Sequence, residues 1–227
     1  MTQTEHLVKK AAGAAVAETP QANSEPTSNA PEQQQQQQFN DNRGARGKLY
    51  FAYGSNLSST QMSQRCPHAT AVGLARLDGW DWIINERRYA NIVRAPTSDP
   101  SSSPEKQEHG LGVNDDPVDA GHHPGVYGVL YRLPPADEAA LDACEGVPFA
   151  YNKLVLAVSE LDPETLEEAR RVEALAYVDL VHVLPRAPWP EYVGRMSAGV
   201  REARERWGFP VWYVEMVMRR FVPGLSW

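Results

Sequence analysis

A stretch that decides much of the fold reads YFAYGSNLS, residues 50–58. Its apolar first half predicts a buried strand that ends at Tyr53, and a short helix is predicted from Ser58 to Cys66. Between the two, the chain changes abruptly to the small and polar residues Gly54–Asn56 and then to Leu57. The question for function is what this turn does between a strand and a helix.

The turn has two interpretations. The N–H groups of residues 54–57 would lie at the N-terminus of the predicted helix, where they lack intrahelical acceptors and where the helix dipole favours negative charge. Because a glycine lets a ligand approach the backbone closely, the turn could cradle a carboxylate or a phosphate. The alternative is a plain turn capped by Ser or Asn. The turn taken alone does not decide between them.

Composition divides the chain at about residue 46. The first 46 residues are rich in Gln, Ala, Pro, Asn, Ser and Glu, and they include the glutamine run Gln33–Gln38. Such a segment buries too little apolar surface to offset the entropy lost on ordering. We therefore predict a disordered tail at residues 1–46 and one domain at residues 47–227.

Charge and cysteine content exclude several classes of protein. The formal net charge is -7, whereas surfaces that bind nucleic acid are basic. No apolar run approaches the length of a membrane span. The two cysteines, Cys66 and Cys144, are far apart and form no CxxC motif, which argues against a disulfide framework and a structural zinc site. We expect a cytoplasmic protein without nucleic-acid or membrane partners.

The order of the predicted elements indicates an α+β fold with a mixed or barrel-like sheet, because strands come first and helices gather at the end without regular βαβ alternation. Strands are predicted at 71–86, 89–95, 126–133, 151–161 and 172–182, with a helix-prone connector at 162–171; helices are predicted at 134–145, from Pro190 to just before Gly208, and at 211–221. One apolar helix face is predicted to comprise Tyr192, Met196, Val200, Ala203 and Trp207.

A polar insert at residues 97–124 interrupts this pattern and is too long for an ordinary loop. It is predicted to be a disordered excursion or a lid. His122 and His123 stand near Asp115, Asp116 and Asp119, but the spacing matches no metal-binding motif. We predict a solvated loop there, and neither a metal nor a cofactor.

Glu145 breaks a local rule, because it ends a predicted helix just before Gly146, where the helix dipole disfavours a carboxylate. Its neighbours are largely apolar, so burial and the dipole would both raise its pKa toward that of a general base. The alternative is an exposed glutamate on a frayed helix end. The adjacent Cys144 is expected to be a small core residue and not a nucleophile, because a neighbouring carboxylate disfavours the thiolate.

Two separated motifs coincide with a known pattern. YGSNL at residues 53–57 and EGV at residues 145–147, with the VYGVLY strand and a helix between them, resemble the gamma-glutamylcyclotransferase superfamily. The resemblance covers most of residues 49–227 and extends to the strand with Tyr177 and to Gly208–Pro210. The insert and the glutamine-rich tail depart from it. The resemblance implies a small mixed β-barrel with flanking helices, and release of 5-oxoproline from a gamma-glutamyl amine.

The resemblance also implies a site. Glu145 would be the general acid and base, and the gamma-glutamyl group would be held by Tyr53, Gly54, Ser55, Asn56 and Leu57. Tyr53, Tyr151 and Tyr177 are candidate pocket walls or partners of the carboxylate. For each tyrosine, a core position with a satisfied hydroxyl is an equal alternative.

Three functions are therefore considered. The first is a gamma-glutamylcyclotransferase that acts on gamma-glutamyl dipeptides or related amines and needs no metal or cofactor. The second is an enzyme of the same fold that trims gamma-glutamyl groups from glutathione adducts in secondary metabolism. The third is a binding protein that uses the same cradle without chemistry. A small gamma-glutamyl molecule is the expected partner in all three, and a homodimer is left open.

Overall fold

The computed structural model describes residues 47–96 and 124–227. The predicted tail, residues 1–46, and the predicted insert apart from Pro124 lie outside the described residues. The tail, the boundary at residue 47 and the two interpretations of the insert therefore stay predictions.

The barrel is built from strands that are distant in sequence. The described strands are β1 (Lys48–Ala52), β2 (Thr70–Leu77), β3 (Trp80–Ile84), β4 (Ala90–Arg94), β5 (Val126–Leu133), β6 (Asn152–Leu161) and β7 (Glu168–Val178). Five of them close in the order β1-β5-β2-β6-β7, while β3 and β4 form a separate two-stranded sheet. Barrel neighbours pair antiparallel except β1 and β7, which are parallel at Tyr50 and Leu175. The mixed barrel confirms the predicted fold class, and its closure leaves no free edge strand within the barrel itself.

The helices flank this barrel, and sequence signals account for their ends. They are α1 (Ser59–Arg65), α2 (Pro135–Glu145), α3 (Pro190–Trp207), α4 (Val211–Tyr213) and α5 (Arg219–Phe221), with a π-helical turn Val214–Met218 between the last two. Gly146 and Gly208 adopt left-handed conformations directly after α2 and α3, the favoured way for a helix to end. The predicted apolar face of α3 is confirmed, with Tyr192, Met196, Val200 and Ala203 buried and Trp207 packed against the core.

The prediction of one strand over residues 71–86 is wrong. The chain turns at Gly79, whose φ is 75°, and the two halves join different sheets: β2 lies in the barrel, and β3 pairs with β4. The turn positions the site, because Trp82 of β3 donates a hydrogen bond from Nε1 to the carbonyl oxygen of Tyr53 at 2.9 Å.

Two other segments also differ from prediction. The connector after β6 forms a tight turn and no helix: the Asp162 carboxylate accepts hydrogen bonds from the N–H groups of Glu164 and Thr165, both at 2.9 Å, and β7 begins at Glu168. Side-chain acceptance of this kind competes with helix formation. The strand predicted to reach residue 182 ends at Val178, where Asp179 organises the following loop.

Gly128 of β5 is predicted to be essential for stability. A Cβ atom at Gly128 would lie 2.6 Å from both the Ala52 carbonyl oxygen and Cε2 of Phe51, so Gly128→Ala would push β5 away from β1. Overpacking of this kind costs about 1–3 kcal/mol. Urea unfolding should show that loss for Gly128→Ala, whereas Gly73→Ala, where a Cβ would meet nothing within 4 Å, should be neutral. Equal stability of the two variants would contradict the prediction.

Candidate active site

The turn after β1 and the end of α2 face one cavity of about 330 Å³. Its walls include Tyr53, Gly54, Ser55 and Asn56 of the turn together with Glu145 of the helix end. The two segments that the sequence singled out therefore meet, as the cradle interpretation requires. Tyr151 and Tyr177 line the same cavity.

The turn differs in detail from the predicted helix N-terminus. Residues Ser55–Leu57 form a 3-10 turn, and α1 starts only at Ser59, after Ser58, whose Oγ accepts a hydrogen bond from the N–H of Gln61 at 2.9 Å. The Leu57 N–H donates to the Gly54 carbonyl oxygen at 2.9 Å. Leu57 is fully buried and does not line the cavity, so the structure lends no support to its predicted part in substrate binding. It is a core residue beneath the turn.

Two backbone amides of the turn, those of Gly54 and Asn56, are candidates for the predicted cradle. The Ser55 N–H donates to the hydroxyl of Tyr192 at 3.3 Å, so it is engaged by the protein. In the described ranges, no protein acceptor faces the N–H groups of Gly54 and Asn56. Because buried N–H groups without acceptors are costly, these two are available for an anion in the cavity.

Helix α3 holds the turn in place. Gly199 brings the helix backbone so close that an added Cβ would lie 3.2 Å from Cβ of Leu57. The Glu202 carboxylate accepts hydrogen bonds from Oγ of Ser58 at 2.7 Å and from the N–H of Thr60 at 2.9 Å. The turn is therefore clamped between α3 and Trp82, which lets its amides keep one orientation.

Asn56 links the turn to Glu145. Its Nδ2 donates to the Tyr50 hydroxyl at 2.9 Å and to Oε1 of Glu145 at 3.3 Å. Its Oδ1 accepts from Nε2 of Gln61 at 2.7 Å and from Nη1 of Arg65 at 3.3 Å. With donors and acceptor all engaged, the amide has one orientation, and it positions the Glu145 carboxylate.

Glu145 sits in the environment predicted for a general base. It is the last residue of α2, and its side chain is only 16% exposed, which contradicts the alternative of an exposed, frayed helix end. Burial raises the pKa of Glu145, and the cation of Arg65, with Nη1 3.2 Å from Oε1, and the hydrogen bond from Asn56 lower it. The net pKa lies above the ordinary carboxyl value because burial is the largest of these effects.

The three predicted tyrosines form walls whose hydroxyls are already engaged. Tyr53 donates a hydrogen bond to the carbonyl oxygen of Tyr177. Tyr177 donates to Oδ1 of Asp142 at 2.7 Å, and Tyr151 donates to the carbonyl oxygen of Ala90 at 3.3 Å. Burial raises the pKa of each of the three phenols, so they are neutral at physiological pH. The three tyrosines line the cavity, as pocket walls would, and their hydroxyls are hydrogen-bonded within the protein, as in the alternative interpretation.

Two further tyrosines were missed by the sequence analysis. The Tyr192 hydroxyl accepts hydrogen bonds from the N–H groups of Ser55 at 3.3 Å and Ala90 at 3.2 Å, and the Tyr50 hydroxyl accepts one from Asn56. Each phenol therefore keeps its own proton to donate. Burial raises the pKa of Tyr192 to about 12. Both line the cavity, and Tyr192 was recognised in the sequence only as a residue of the apolar helix face.

Three arginines in the cavity wall were also missed: Arg65, Arg87 and Arg195. They belong to α1, the β3–β4 turn and α3, so no local motif links them. Their charges outnumber that of Glu145 and make the cavity suitable for an anionic ligand.

The two cysteines differ from one another. Cys66 is buried, and burial raises the pKa of its thiol to about 11. Cys144 is exposed and lies in the cavity wall, so the prediction that it is a core residue is wrong. In the described part of the chain, no group of three or more His, Cys, Asp or Glu side chains could hold a metal ion. His122 and His123 fall outside it.

Comparison with known proteins identifies the fold. No protein-family model and no curated protein matches the chain. A solved structure titled gamma-glutamyl cyclotransferase is similar, with a TM-score of 0.53 at 21% identity over 74% of this chain and 85% of that one. The chain has the gamma-glutamylcyclotransferase-like fold.

Two more solved structures are similar to this chain in fold. An uncharacterized protein from Homo sapiens has a TM-score of 0.54 at 21% identity over 75% of this chain and 86% of that one. YkqA from Bacillus subtilis has a TM-score of 0.54 at 19% identity over 85% of this chain, which spans 59% of the Bacillus protein. No helix among the residues described here is both long and apolar enough to span a bilayer.

Proposed function

We propose that the protein is a gamma-glutamylcyclotransferase, which releases 5-oxoproline and a free amine from gamma-glutamyl dipeptides or related gamma-glutamyl amines. The observation that carries the proposal is the meeting of two groups in one cavity: a buried carboxylate with a raised pKa, Glu145, and the amide cradle of Gly54 and Asn56. The similarity in fold to a structure named gamma-glutamyl cyclotransferase supports it.

The cradle binds the α-carboxylate of the gamma-glutamyl group. The N–H groups of Gly54 and Asn56 donate to it, and the guanidinium of Arg195, which is 2.9 Å from Oγ of Ser55, adds positive charge beside the turn. Tyr192 donates its hydroxyl proton in a hydrogen bond to the same α-carboxylate. Charge-assisted hydrogen bonds of this kind are about twice as strong as neutral ones.

Glu145 moves the proton. Its carboxylate takes a proton from the α-ammonium group, and the resulting amine attacks the γ-carbonyl carbon within the same molecule to close a five-membered ring. The tetrahedral intermediate then collapses: protonated Glu145 gives its proton to the leaving nitrogen as the bond from the γ-carbon to that nitrogen breaks. The ring nitrogen loses its second proton to Glu145, which passes it to the released amine, so the amine leaves as an ammonium ion. The attack is intramolecular, so much of the acceleration comes from holding the substrate folded.

The raised pKa suits both halves of this cycle. A carboxylate with an ordinary pKa is a poor base for an ammonium group and, once protonated, is short-lived as an acid at neutral pH. Burial narrows the difference between the pKa values of Glu145 and the substrate amine. Asn56 and Arg65 keep the carboxylate ionised enough to act first as the base.

The cavity volume favours small substrates over bulky adducts. About 330 Å³ stands at the lower end of the range for ligand pockets, about 300–1,000 Å³, and suits a dipeptide. Incubation with a panel of gamma-glutamyl dipeptides, amines and glutathione adducts, with 5-oxoproline measured by mass spectrometry, tests the proposal. Turnover confined to bulky adducts would favour the trimming enzyme, and tight binding with no product would favour the binding protein.

The pH dependence of turnover is a further prediction. The acid limb of the kcat/KM profile should have its midpoint above the ordinary glutamate pKa of 4.5, because burial raises the pKa of Glu145 and activity falls as the base is protonated. Arg65→Met should move that limb to still higher pH, because the Arg65 cation lowers the pKa. A titration of the Glu145 carboxyl by NMR provides the independent check. An acid limb at or below 4.5, or one unmoved in Arg65→Met, would contradict the assignment.

A further inference from the structure

The three arginines of the cavity are not equivalent, because two of them donate hydrogen bonds to residues of the turn after β1 and its neighbours. The Arg195 guanidinium donates to Oε1 of Gln61 at 3.1 Å and to Oγ of Ser55 at 2.9 Å. The Arg65 guanidinium donates to Oδ1 of Asn56 at 3.3 Å and to Oε1 of Glu145 at 3.2 Å. Both cations therefore belong to the network that holds the turn and the general base.

Arg87 has unused donors. Its guanidinium lies 5.5 Å from the ring centroid of Tyr151 and is 4.0 Å, at Nη1, from Oδ2 of Asp179, which is beyond hydrogen-bond distance. Across residues 47–96 and 124–227, no protein atom accepts a hydrogen bond from this guanidinium. The side chain is 33% exposed and lines the cavity.

Asp179 orients Arg87 but has little capacity left for it. The carboxylate is 3% exposed and already accepts hydrogen bonds from Nδ2 of Asn85 at 3.1 Å, from the N–H groups of Val181 and His182 at 3.0 Å, and from Nδ1 of His182 at 2.9 Å. Its four acceptor sites are thus used. Arg87 is left as a planar, five-donor cation at the cavity wall, the geometry that matches a carboxylate.

A series of contacts along the cavity wall connects Arg87 with the amide cradle. Ser55 of the turn contacts the Tyr192 hydroxyl, that hydroxyl contacts Ala90, and Ala90 contacts the Tyr151 hydroxyl. The Arg87 guanidinium lies against the ring of Tyr151. A substrate whose α-carboxylate sits at the cradle can extend along this wall to Arg87, which lines the same cavity.

We infer that Arg87 binds a second carboxylate, the one carried by the leaving amine, and so selects gamma-glutamyl α-amino acids over gamma-glutamyl amines that lack this group. The inference rests on the proposed function and names its substrate class. The leaving product is then a free α-amino acid. Arg87 is a specificity residue, because it touches the carboxylate of the leaving amino acid and takes no part in breaking or forming a bond.

The test compares two substrates that differ only by the carboxylate, gamma-glutamyl-alanine and gamma-glutamyl-ethylamine. The wild-type protein should favour gamma-glutamyl-alanine in kcat/KM by about 10- to 100-fold, as expected for a hydrogen-bonded ion pair. Arg87→Met should lose the preference, so that its kcat/KM values for the two compounds differ by less than about twofold. The Arg87 charge also lowers the pKa of Glu145, and the effect of its removal on that pKa is common to both substrates. Arg87→Lys should show an intermediate preference, because lysine keeps the positive charge but lacks the two parallel N–H donors of the guanidinium.

A matched control and a binding measurement distinguish loss of the Arg87 contact from a general loss of positive charge and from loss of turnover. Arg186→Met removes the same charge from an exposed position outside the cavity and should leave both substrates unaffected. Dissociation constants measured by calorimetry in the Glu145→Gln background, with and without Arg87→Met, test the selection without turnover. The expected result is the same 10- to 100-fold preference, lost with Arg87.

Several outcomes would overturn the inference. An equal loss for both substrates in Arg87→Met would show that Arg87 holds the glutamyl end or supports the fold. Equal affinity for the two compounds, or no binding of either, would also overturn it. Absence of 5-oxoproline from every substrate, together with selective binding that requires Arg87, would instead overturn only the proposed chemistry and leave the carboxylate site standing.

Discussion

Glu145→Gln is expected to lower kcat/KM for 5-oxoproline release by about 10²- to 10⁴-fold, the usual contribution of a positioned acid–base group. The amide has the shape of the carboxylate, and its oxygen can still accept hydrogen bonds from Asn56 and Arg65 at the positions now 3.3 Å and 3.2 Å away. It cannot take a proton from the substrate ammonium group. The loss should therefore fall on the chemical step and not on folding.

The measurement is a continuous assay for the released amine, with circular dichroism and thermal unfolding of the same preparations. Glu173→Gln makes the same change at an exposed position on β7 and should keep wild-type activity. Full activity in Glu145→Gln, with a native unfolding profile, would remove Glu145 from the mechanism. Loss of structure in that variant would mean that the activity data report on folding.

Asn56→Ala is expected to lower kcat/KM by about 10²-fold, the scale of effect that follows when a reacting group is misplaced by about 1 Å. The side chain makes four hydrogen bonds, to Tyr50, Glu145, Gln61 and Arg65. Its removal frees the Glu145 carboxylate from the turn. Because the hydrogen bond from Asn56 lowers the pKa of Glu145, the acid limb of the pH profile should also move to higher pH.

Asn56→Asp separates positioning from simple loss of bulk. The carboxylate can still accept from Gln61 and Arg65, but it cannot donate to Glu145 and adds a second negative charge beside it, so the pKa of Glu145 should rise further than in Asn56→Ala. Asn152→Ala, at the start of β6 and outside the cavity, serves as the control. Wild-type kcat/KM and an unmoved acid limb in both Asn56 variants would show that Glu145 is positioned without this amide.

Much of the architecture could be predicted because the decisive signals are local. The ends of α2 and α3 follow from glycines in left-handed conformation at residues 146 and 208, a preference that holds wherever a helix stops. The apolar face of α3 follows from a repeat within the helix itself. The single strand predicted for 71–86 fails for the opposite reason, since the turn at Gly79 separates two apolar strands that periodicity cannot assign to different sheets.

The site could be predicted in its two motifs but not in what joins them. Leu57 belongs to the YGSNL motif, yet it packs into the core, because motif membership says nothing about which way a side chain faces. Arg65 and Glu145 are 80 positions apart in the chain and 3.2 Å apart in space. Cys144 faces the cavity although its neighbours suggested the core, because α2 presents its last turn to the opening.

The sequence by itself determined most of the order of strands and helices, the polar turn after β1 and the unusual placement of Glu145 at a helix end. These features depend on interactions between residues that are close in sequence. Residue propensities and hydrophobic periodicity reflect such interactions. Only the tertiary structure decided that Asn56 donates a hydrogen bond to Glu145, the proposed general base, and that Arg65, Arg87 and Arg195 line the cavity that Glu145 faces. Barrel closure and the packing of α3 bring these groups together, and such contacts depend on distances that no local pattern encodes.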